Sequence, residues 1–272
     1  MLKFIYKNYR PFFISTAIIL CLSTFNAFAN PTLEPLTVEI KRGAKTAIIT
    51  GSNRGQGLGW VKHFLKKGYQ VIATARKPEK STALIELKKE YKKHLIIQKL
   101  DVTSEFDMKS LATKLKAEDI KIDVAISNAG VTIEEDFGNW TAKGIETNFR
   151  VNTMGAALFA QAIAPYLKDG AKLIQLSSGA GSITYQKRSS PLDAYRISKA
   201  GLNMLTRNLS ARLEDRKIIV VSINPGGVLT DMNPNGKLSV TEAIAIMSET
   251  ISKLTIKDSG TFINNDGKVM PW

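Results

Sequence analysis

The stretch TAIITGSNRGQG, residues 46–57, decides the fold. An apolar run, 46–50, leads directly into three glycines spaced G-x3-G-x-G. Glycine suits such a turn because it adopts positive φ and lets the backbone approach a pyrophosphate, which lies at the positive N-terminus of the next helix. The stretch predicts a strand, a helix and, between them, a dinucleotide-binding loop formed by Gly51, Ser52, Asn53, Arg54, Gly55, Gln56 and Gly57. A tight turn without a ligand is the alternative interpretation.

On either side of this loop, short apolar runs alternate with amphipathic stretches, which predicts repeated βαβ units. We predict an α/β fold: a Rossmann-like, doubly wound parallel sheet of about seven strands in a three-layer α/β/α arrangement, with ligands at the carboxyl ends of the strands. The predicted strands are 46–50, 70–75, 95–100, 122–127, 172–176, 218–223 and 261–264. The predicted helices are 56–67, 105–117, 148–166, 192–214 and 240–253.

The first residues have a different character from the rest of the chain. Lys3, Lys7 and Arg10 precede an uncharged, largely apolar stretch, 12–28, and the small residues Ala27 and Ala29 follow at cleavage-site spacing. We expect residues 1–29 to be a signal peptide, 30–43 a linker and 44–272 a single domain that is exported and periplasmic after cleavage. A membrane anchor formed by residues 12–28 is the alternative, although this stretch barely reaches the length that spans a bilayer.

Charge and side-chain chemistry limit the partners. The formal net charge is +14, but lysines are interleaved with glutamates on predicted helix surfaces, so we expect no nucleic-acid partner. The excess of lysine is also compatible with attraction to an anionic membrane surface. Cys21, the only cysteine, lies in the predicted signal, which excludes disulfides and thiol catalysis in the mature chain. His63 and His94 have no metal-ligand spacing, so no metal site is predicted.

The end of the second predicted strand bears on the choice of nucleotide. An NAD-binding domain offers a carboxylate there to the adenosine ribose 2′-hydroxyl. This chain has Arg76 instead, with Arg54 in the glycine loop, and guanidinium groups suit a 2′-phosphate. We therefore predict NADP(H) in preference to NAD(H). A solvent-exposed arginine without a ligand is the alternative for Arg76.

A phenol and an ammonium, Tyr195 and Lys199, lie four residues apart, so they share one face of a predicted helix. Such a pair arises readily by chance in a lysine-rich chain, and its context is what gives it weight. Ser178 precedes it at the end of a predicted strand, Asn152 lies on a predicted helix, and the sequence Asn128-Ala129-Gly130 follows another strand.

In this order, the motifs resemble those of the short-chain dehydrogenase/reductase family over nearly all of residues 44–272. The match comprises 50–57, Asp101-Val102, 128–130, Asn152, Ser178, Tyr195, Lys199 and 224–226 with Thr230. The stretches 75–79, 262–267 and 271–272 look like the C-factor and small carbonyl-reductase branch. The resemblance implies a cofactor site that also includes Arg76, Asp101, Val102, Asn128, Ala129, Gly130, Tyr195, Lys199, Pro225, Gly226, Val228 and Thr230.

The resemblance also implies roles. Tyr195 would be the general acid in carbonyl reduction and the general base in alcohol oxidation, with its phenolate favoured by the Lys199 cation. Lys199 would also hold the nicotinamide ribose, and Ser178 would donate a hydrogen bond to the substrate oxygen. Asn152 would align a water or a backbone group for proton relay. As alternatives, Ser178 caps the loop after its strand, Asn152 is a satisfied polar residue within its helix, and Asp101 begins the next helix.

The resemblance therefore implies an oxidoreductase that transfers a hydride between NADP(H) and a small carbonyl or alcohol. It also implies a dimer or tetramer. Three residues depart from the family pattern: Gln56 and Gly227 replace an apolar and an aromatic residue, and Ser127 replaces an asparagine. The long stretch between Ser178 and Tyr195 carries Lys187 and Arg188 and is expected to form a lid or a partner surface. An exported C-factor-like protein that binds a nucleotide or signals with little turnover is the alternative function.

Overall fold

A seven-stranded parallel sheet forms the centre of the computed structural model, which describes residues 43–186 and 190–272. The spatial order is β3-β2-β1-β4-β5-β6-β7, and every neighbouring pair is parallel. The strands are β1 Thr46–Ile49, β2 Gln70–Ala75, β3 Leu95–Lys99, β4 Ile122–Ser127, β5 Leu167–Leu176, β6 Ile219–Asn224 and β7 Phe262–Asn264. The predicted signal peptide, nearly all of the predicted linker, Lys187 and Arg188 lie outside the described residues.

Within the described residues, the helices are α1 Gly55–Lys66, α2 Thr82–Tyr91, α3 Glu105–Ala117, α4 Ala142–Phe149, α5 Gly155–Ile163, α6 Asp193–Arg212 and α7 Val240–Lys253. They cover both faces of the sheet, because each strand alternates its apolar side chains between two cores. Ala47 and Ile49 face the core built with α1, α2 and α7. Ile48 faces the core built with α3 and α5. This is the predicted three-layer, doubly wound arrangement.

The predicted helices differ from the structure in two places. Helix α2 was predicted only as a surface of interleaved lysines and glutamates, without bounds, because it buries only Leu84. The predicted helix 148–166 begins earlier, at Ala142, and a π-helical turn, Arg150–Met154, separates α4 from α5. Thr141 accounts for the earlier start, since its side chain accepts a hydrogen bond from the backbone N–H of Gly144 and caps α4.

Strand β5 is longer than predicted. It begins at Leu167, which pairs with Ile122, and its register with β4 then shifts before Lys172 pairs with Val124. The irregularity contains Gly170 at φ +75°. A bulge of this kind breaks the alternation of apolar residues that a sequence pattern detects. Residues 172–176 alone had the regular pattern, and they were predicted correctly.

The strand order reverses between β1 and β4, the neighbours at the centre of the sheet. In doubly wound sheets, ligands bind in the crevice outside the carboxyl ends of strands at this switch point. The loops after β1, β4, β5 and β6 therefore surround the candidate site. None of the helices in the described part of the chain is long and apolar enough to cross a membrane.

Candidate active site

Thr50 joins the loops that follow the two central strands. Its hydroxyl oxygen accepts hydrogen bonds from the backbone N–H groups of Asn128 and Ala129, each at 2.9 Å. The Asn128 side-chain amide donates in return to the carbonyl oxygens of Thr50, at 2.8 Å, and Gly51, at 3.1 Å. The glycine loop is thus fixed to the loop after β4 before any ligand binds.

The glycines of the loop are required by its shape. Gly51 and Gly55 have φ of +64° and +54°, in the left-handed region that favours glycine. A Cβ atom on Gly57 would lie 2.2 Å from the carbonyl oxygen of Gly51, so no other residue fits there. The close approach of this helical turn to the loop leaves a cradle at the N-terminus of α1.

Ser52 has a structural role beneath the loop. Its backbone N–H donates to the Thr74 carbonyl at 2.8 Å, and its hydroxyl donates to the Ile49 carbonyl at 2.9 Å. The hydroxyl oxygen also accepts from the Thr74 N–H at 3.2 Å. Both polar groups of this wholly buried residue are therefore turned toward the protein.

The N-terminus of α1 is open to an anion. Arg54 occupies the N-cap position without a side-chain cap, and no acidic residue lies in the first turn. The first N–H groups of a helix have no partner within it, and the helix dipole makes this end positive. The side-chain oxygen of Gln56, in the same turn, is buried and has no donor among the described residues. The open helix N-terminus and the glycine loop together form a cradle for a phosphate, to which the Gln56 oxygen, itself an acceptor, does not contribute.

The two predicted phosphate-binding arginines occupy different environments. Arg54 forms an ion pair with Asp231, which lies after β6, and both side chains are exposed. Arg76 follows β2, is exposed, and has no hydrogen bond or ion pair within residues 43–186 and 190–272. Arg76 is therefore available to a ligand, whereas Arg54 already has an anionic partner.

Tyr195 and Lys199 lie one turn apart on α6, as predicted. The Lys199 ammonium is 5.7 Å from the centre of the Tyr195 ring and donates to the Leu176 carbonyl at 2.8 Å. Burial lowers the pKa of Lys199 to about 8. Burial also raises the pKa of Tyr195, and a hydrogen bond shared with Ser178 opposes that shift. Desolvation of the phenol is thus the larger effect on the pKa of Tyr195, and the phenolate-stabilising role of Lys199 stays a prediction.

Ser178 caps the turn after its strand, one of the roles considered for it, and it also contacts Tyr195. Its hydroxyl oxygen accepts from the Ala180 N–H at 3.1 Å, which caps the short helical turn after β5. The same side chain forms the hydrogen bond with Tyr195. The serine cap and the tyrosine hydroxyl therefore meet at the carboxyl edge of the sheet.

Asn152 is buried in the π-helical turn and holds backbone rather than ligand. Its side-chain oxygen accepts from the Val131 N–H at 2.8 Å, and its amide donates to the Val131 carbonyl at 2.9 Å. The amide also donates to the Ser198 hydroxyl at 2.9 Å. Asn152 thereby connects the loop after β4 to the catalytic helix α6. π-Helical turns occur frequently at functional sites, since they redirect side chains.

The chain is similar to known proteins over most of its length. The family model of the short chain dehydrogenases matches residues 45–239. The short chain dehydrogenase gsfK of Penicillium aethiopicum is 32% identical over 250 residues, which cover 84% of this chain and 99% of that protein.

Among solved structures, the NADPH-bound carbonyl reductase from chicken fatty liver has a TM-score of 0.79 and is 34% identical, covering 84% of this chain and 99% of its own. The C-signal of Myxococcus xanthus is 32% identical over 160 residues, 56% of this chain and 93% of that protein. The chain belongs to the short chain dehydrogenase family. The C-factor and carbonyl-reductase resemblance is confirmed, and the dehydrogenase is a hydride-transferring oxidoreductase.

The remaining predicted cofactor residues of the dehydrogenase surround the same edge. Asp101 accepts from the Thr103 N–H and hydroxyl at 2.9 and 2.8 Å, so it forms a turn, while Ser104 caps α3. Val102 is buried and packs against Gly155. A Cβ atom on Gly130 would lie 3.8 Å from the Lys199 ammonium.

The segment after β6 lies on the other side of the glycine loop. Val228 is buried, and the methyl group of Thr230 is 3.7 Å from the position of a Cβ atom on Gly55. Gly226 donates to the side-chain oxygen of Asn224 at 3.3 Å, and the Pro225 carbonyl accepts from Asn265. The cradle is therefore bordered on both sides by predicted residues.

Two residues that organise the site of the dehydrogenase were not predicted as part of it. Ser198 receives the Asn152 amide, and Asp231 pairs with Arg54. Thr50 and Asn224 were predicted only as parts of motifs, yet Thr50 joins the two central loops and the Asn224 side-chain oxygen accepts from the Gly179 N–H at 3.0 Å. The Asp231 contact spans 177 residues of sequence, which no local pattern reveals.

In the described part of the dehydrogenase, no group of three or more histidine, cysteine, aspartate or glutamate side chains lies close enough together to hold a metal ion. His63 instead shares a 2.7 Å hydrogen bond with Ser248, and burial lowers its pKa.

Proposed function

We propose that the dehydrogenase transfers a hydride between NADP(H) and a small carbonyl or alcohol. The observation that carries the proposal is the convergence of Ser178, Tyr195 and Lys199 at the strand ends that also carry the glycine loop. The nucleotide, when bound, supplies or accepts the hydride, and the protein supplies position and proton transfer.

The side chains divide the remaining work. In carbonyl reduction, Tyr195 donates its hydroxyl proton to the substrate oxygen, and Ser178 donates a hydrogen bond to the same oxygen as negative charge develops. The pKa of Tyr195 is raised by burial, which keeps the phenol protonated and ready to act as an acid. Lys199, as a cation, stabilises the phenolate that remains. Asn152 keeps the loop after β4 in register with these groups.

The residues present fit a nicotinamide dinucleotide phosphate. The open N-terminus of α1 and the glycine cradle suit the pyrophosphate, and the buried Gln56 oxygen is an acceptor that a donor of the nucleotide would satisfy. Exposed Arg76 at the end of β2 favours a 2′-phosphate. Arg54 contributes there only by exchanging Asp231 for the phosphate. The carbonyl reductase from chicken fatty liver is described with NADPH bound.

Gly227, one departure from the family pattern, is exposed at the carboxyl edge of the sheet. A Cβ atom on Gly227 would meet nothing within 4 Å, at the place where an aromatic residue is usual in this branch. The alternative of a binding or signalling protein with little turnover is not favoured, since the similar structures include carbonyl reductases. Asn152, Ser178, Tyr195 and Lys199 also occupy one connected site.

The enzymatic test is a titration of the purified protein with NADPH and NADP⁺, followed by absorbance at the nicotinamide band with a panel of small aldehydes and ketones. We expect binding of both nucleotides and turnover with at least one carbonyl. If neither nucleotide binds, the enzyme proposal fails. Binding without turnover of any substrate supports the signalling alternative instead.

We also propose that the protein is exported, with Asn30 as the mature N-terminus and the periplasm as its location. The basic, apolar and small-residue pattern of residues 1–29 supports this. Mass spectrometry of the protein from a periplasmic extract checks it. An intact Met1 in the membrane fraction shows the anchor instead, and an intact Met1 in the cytoplasm contradicts both.

Assembly and surface association are further proposals. The described parts of α4 and α6 expose Ile145, Phe149, Ile197 and Met204, which supports a homo-oligomer of two or four copies. Light scattering on the eluting protein measures its mass.

The net charge of +14 supports attraction to anionic membranes, which sedimentation with anionic vesicles tests at increasing salt.

A further inference from the structure

A cavity lies at the amino ends of the central strands, on the edge of the sheet opposite the active site. It has a volume of about 290 Å³ and lies between the second halves of α1 and α7, beside the starts of β1, β4 and β5. Pockets for small ligands typically begin at about 300 Å³. The space therefore suits a small molecule and is too small for a second dinucleotide.

Positive charge exceeds negative charge around this cavity. Four lysines line it, Lys45, Lys67, Lys168 and Lys172. The two lining carboxylates are already paired: Lys168 binds Asp123 at 2.9 Å, and Arg216 binds Asp169 at 3.0 Å. Lys45, Lys67 and Lys172 form no ion pair with any carboxylate in the described part of the chain.

Two of these three lysines have a structural role as well. Lys172 donates to the carbonyl oxygens of Ile251, at 2.5 Å, and Ser252, at 3.1 Å, and so caps the C-terminus of α7. Lys67, at the C-terminus of α1, donates to the Ser248 hydroxyl at 3.3 Å.

The Lys45 carbonyl accepts from the Gln70 N–H at 2.9 Å, but the Lys45 ammonium has no hydrogen bond or ion pair to the residues that the structure describes. Burial lowers the pKa of Lys172, and the charge of Lys45 lowers it further, while Asp258 opposes the shift. Lys172 and Lys67 thus have structural contacts at the ends of α7 and α1. The ammonium group of Lys45 has no such contact and adds a further positive charge to the cavity.

The cavity wall also contains a buried donor without an acceptor. Trp60 lies in the wall and is wholly buried, and its indole N–H has no partner within residues 43–186 and 190–272. Nearly all buried N–H groups in proteins are paired, because an unpaired one loses its hydrogen bond to water. Phe64 and Tyr69 continue the wall next to Trp60, with ring centres 5.0 Å apart. Because the indole N–H is wholly buried, an acceptor inside the cavity would satisfy it only after a side chain of the wall shifts.

We propose that this cavity binds a small organic carboxylate, whose oxygens accept from the Trp60 indole N–H and face the ammonium groups of Lys45 and Lys67. Its apolar body would pack against Phe64 and Tyr69. A carboxylate fits better than a phosphate, because the described wall offers no arginine and only the C-terminal halves of its helices. The ligand would thus be a monoanion with an aromatic or branched body.

The full-length protein can be tested with phenylacetate and its neutral counterpart phenylacetamide. The chain has three tryptophans, so ¹⁵N-labelled protein gives three indole N–H signals, and Trp60→Phe assigns one of them. We expect phenylacetate to shift the Trp60 signal saturably and phenylacetamide to leave it in place. Lys45→Gln combined with Lys67→Gln is expected to weaken the binding about tenfold, since the ligand loses its charge partners.

Matched controls keep the test independent of folding and of the active site. Lys45 and Lys67 are exposed, so we expect their substitution to preserve the fold. Lys66 is also exposed but does not line the cavity, so Lys66→Gln is the matched control. Lys66→Gln and saturating NADPH are both expected to leave the affinity unchanged. The proposal is overturned if the signal does not shift, if the amide acts like the carboxylate, if the double variant binds normally, or if NADPH displaces the ligand.

Discussion

Two lysines beside strand β5 each donate to a backbone carbonyl, with different consequences. Lys199 of α6 donates to the carbonyl of Leu176, the last residue of the strand, at 2.8 Å. Lys172, in the middle of the strand, donates to the Ile251 carbonyl of α7 at 2.5 Å. Burial lowers the pKa of both lysines. A lowered lysine pKa therefore does not by itself indicate catalysis; the role proposed for Lys199 depends on the tyrosine hydroxyl and the glycine cradle beside it.

The largest effect expected at the carboxyl end comes from Tyr195→Phe. This substitution removes the proton donor and keeps the ring, so turnover should fall by about 1,000-fold. NADPH affinity should change by less than about twofold, because the hydroxyl is not required to hold the nucleotide. Steady-state kinetics and a fluorescence titration measure the two quantities. Retained activity in this variant would refute the role assigned to Tyr195.

The next prediction compares the two lysines directly. Lys199→Met should lower kcat/KM by about 100-fold, since the phenolate and the nucleotide lose a cation. Lys172→Met removes a lysine from β5 that faces away from the candidate active site, beside the cavity at the amino edge, and should leave kcat/KM unchanged. Both variants are measured with the same carbonyl substrate, after their folding is checked by circular dichroism. Equal losses in the two variants would mean that the lysines act through the stability of β5 alone.

The dependence on pH sharpens the same comparison. The pKa of Lys199 is about 8, so the cation is present below this pH and is lost above it. The pKa of Tyr195 is raised from its ordinary value, and the phenol stays protonated through this range. We expect kcat/KM for carbonyl reduction to fall about tenfold per pH unit above pH 8. Lys172→Met should show the same descending limb, and a flat profile up to pH 10 contradicts the prediction.

A smaller effect is expected from Arg76→Asp, which changes charge at the carboxyl edge only. A carboxylate there repels a 2′-phosphate and can accept from a 2′-hydroxyl. NADPH affinity should fall about tenfold, and NADH affinity should rise. Titrations with both nucleotides give the ratio, with Lys45→Gln as the matched loss of charge at the amino edge. An unchanged ratio would leave Arg76 without a part in nucleotide choice.

The sheet was predictable because its strands are short, apolar and separated by turn residues. Ile122–Ser127 and Gln70–Ala75 occur as predicted, since both are short and almost entirely buried. The family motifs likewise indicated Ser178, Tyr195 and Lys199 before any geometry was known. What a linear pattern does not contain is the bulge in β5 and the exposed helix α2, whose lysines and glutamates follow no apolar period.

The pKa values and the hydrogen-bond partners of side chains depend on contacts between distant parts of the chain, so they were less predictable. The sequence indicated a phenol activated by Lys199, but the pKa of Tyr195 is set chiefly by its burial, which only the packed site shows. Arg54 was predicted to meet a phosphate, yet Asp231 from the loop after β6 pairs with it. The sequence indicated Trp60 only as part of an apolar helix face, whereas in the structure it lies in the wall of a cavity with an unpaired indole N–H.

The π-helical turn at Asn152 constrains the number of residues between Ala142 and Ile163. One residue corresponds to a rotation of about 100° around a helix axis, so a single insertion or deletion between Ala142 and Ile163 would swing Asn152 away from Val131 or Phe159 out of its core. Natural variation and engineering can alter side chains along this segment, but changes in its residue count belong in the neighbouring loops.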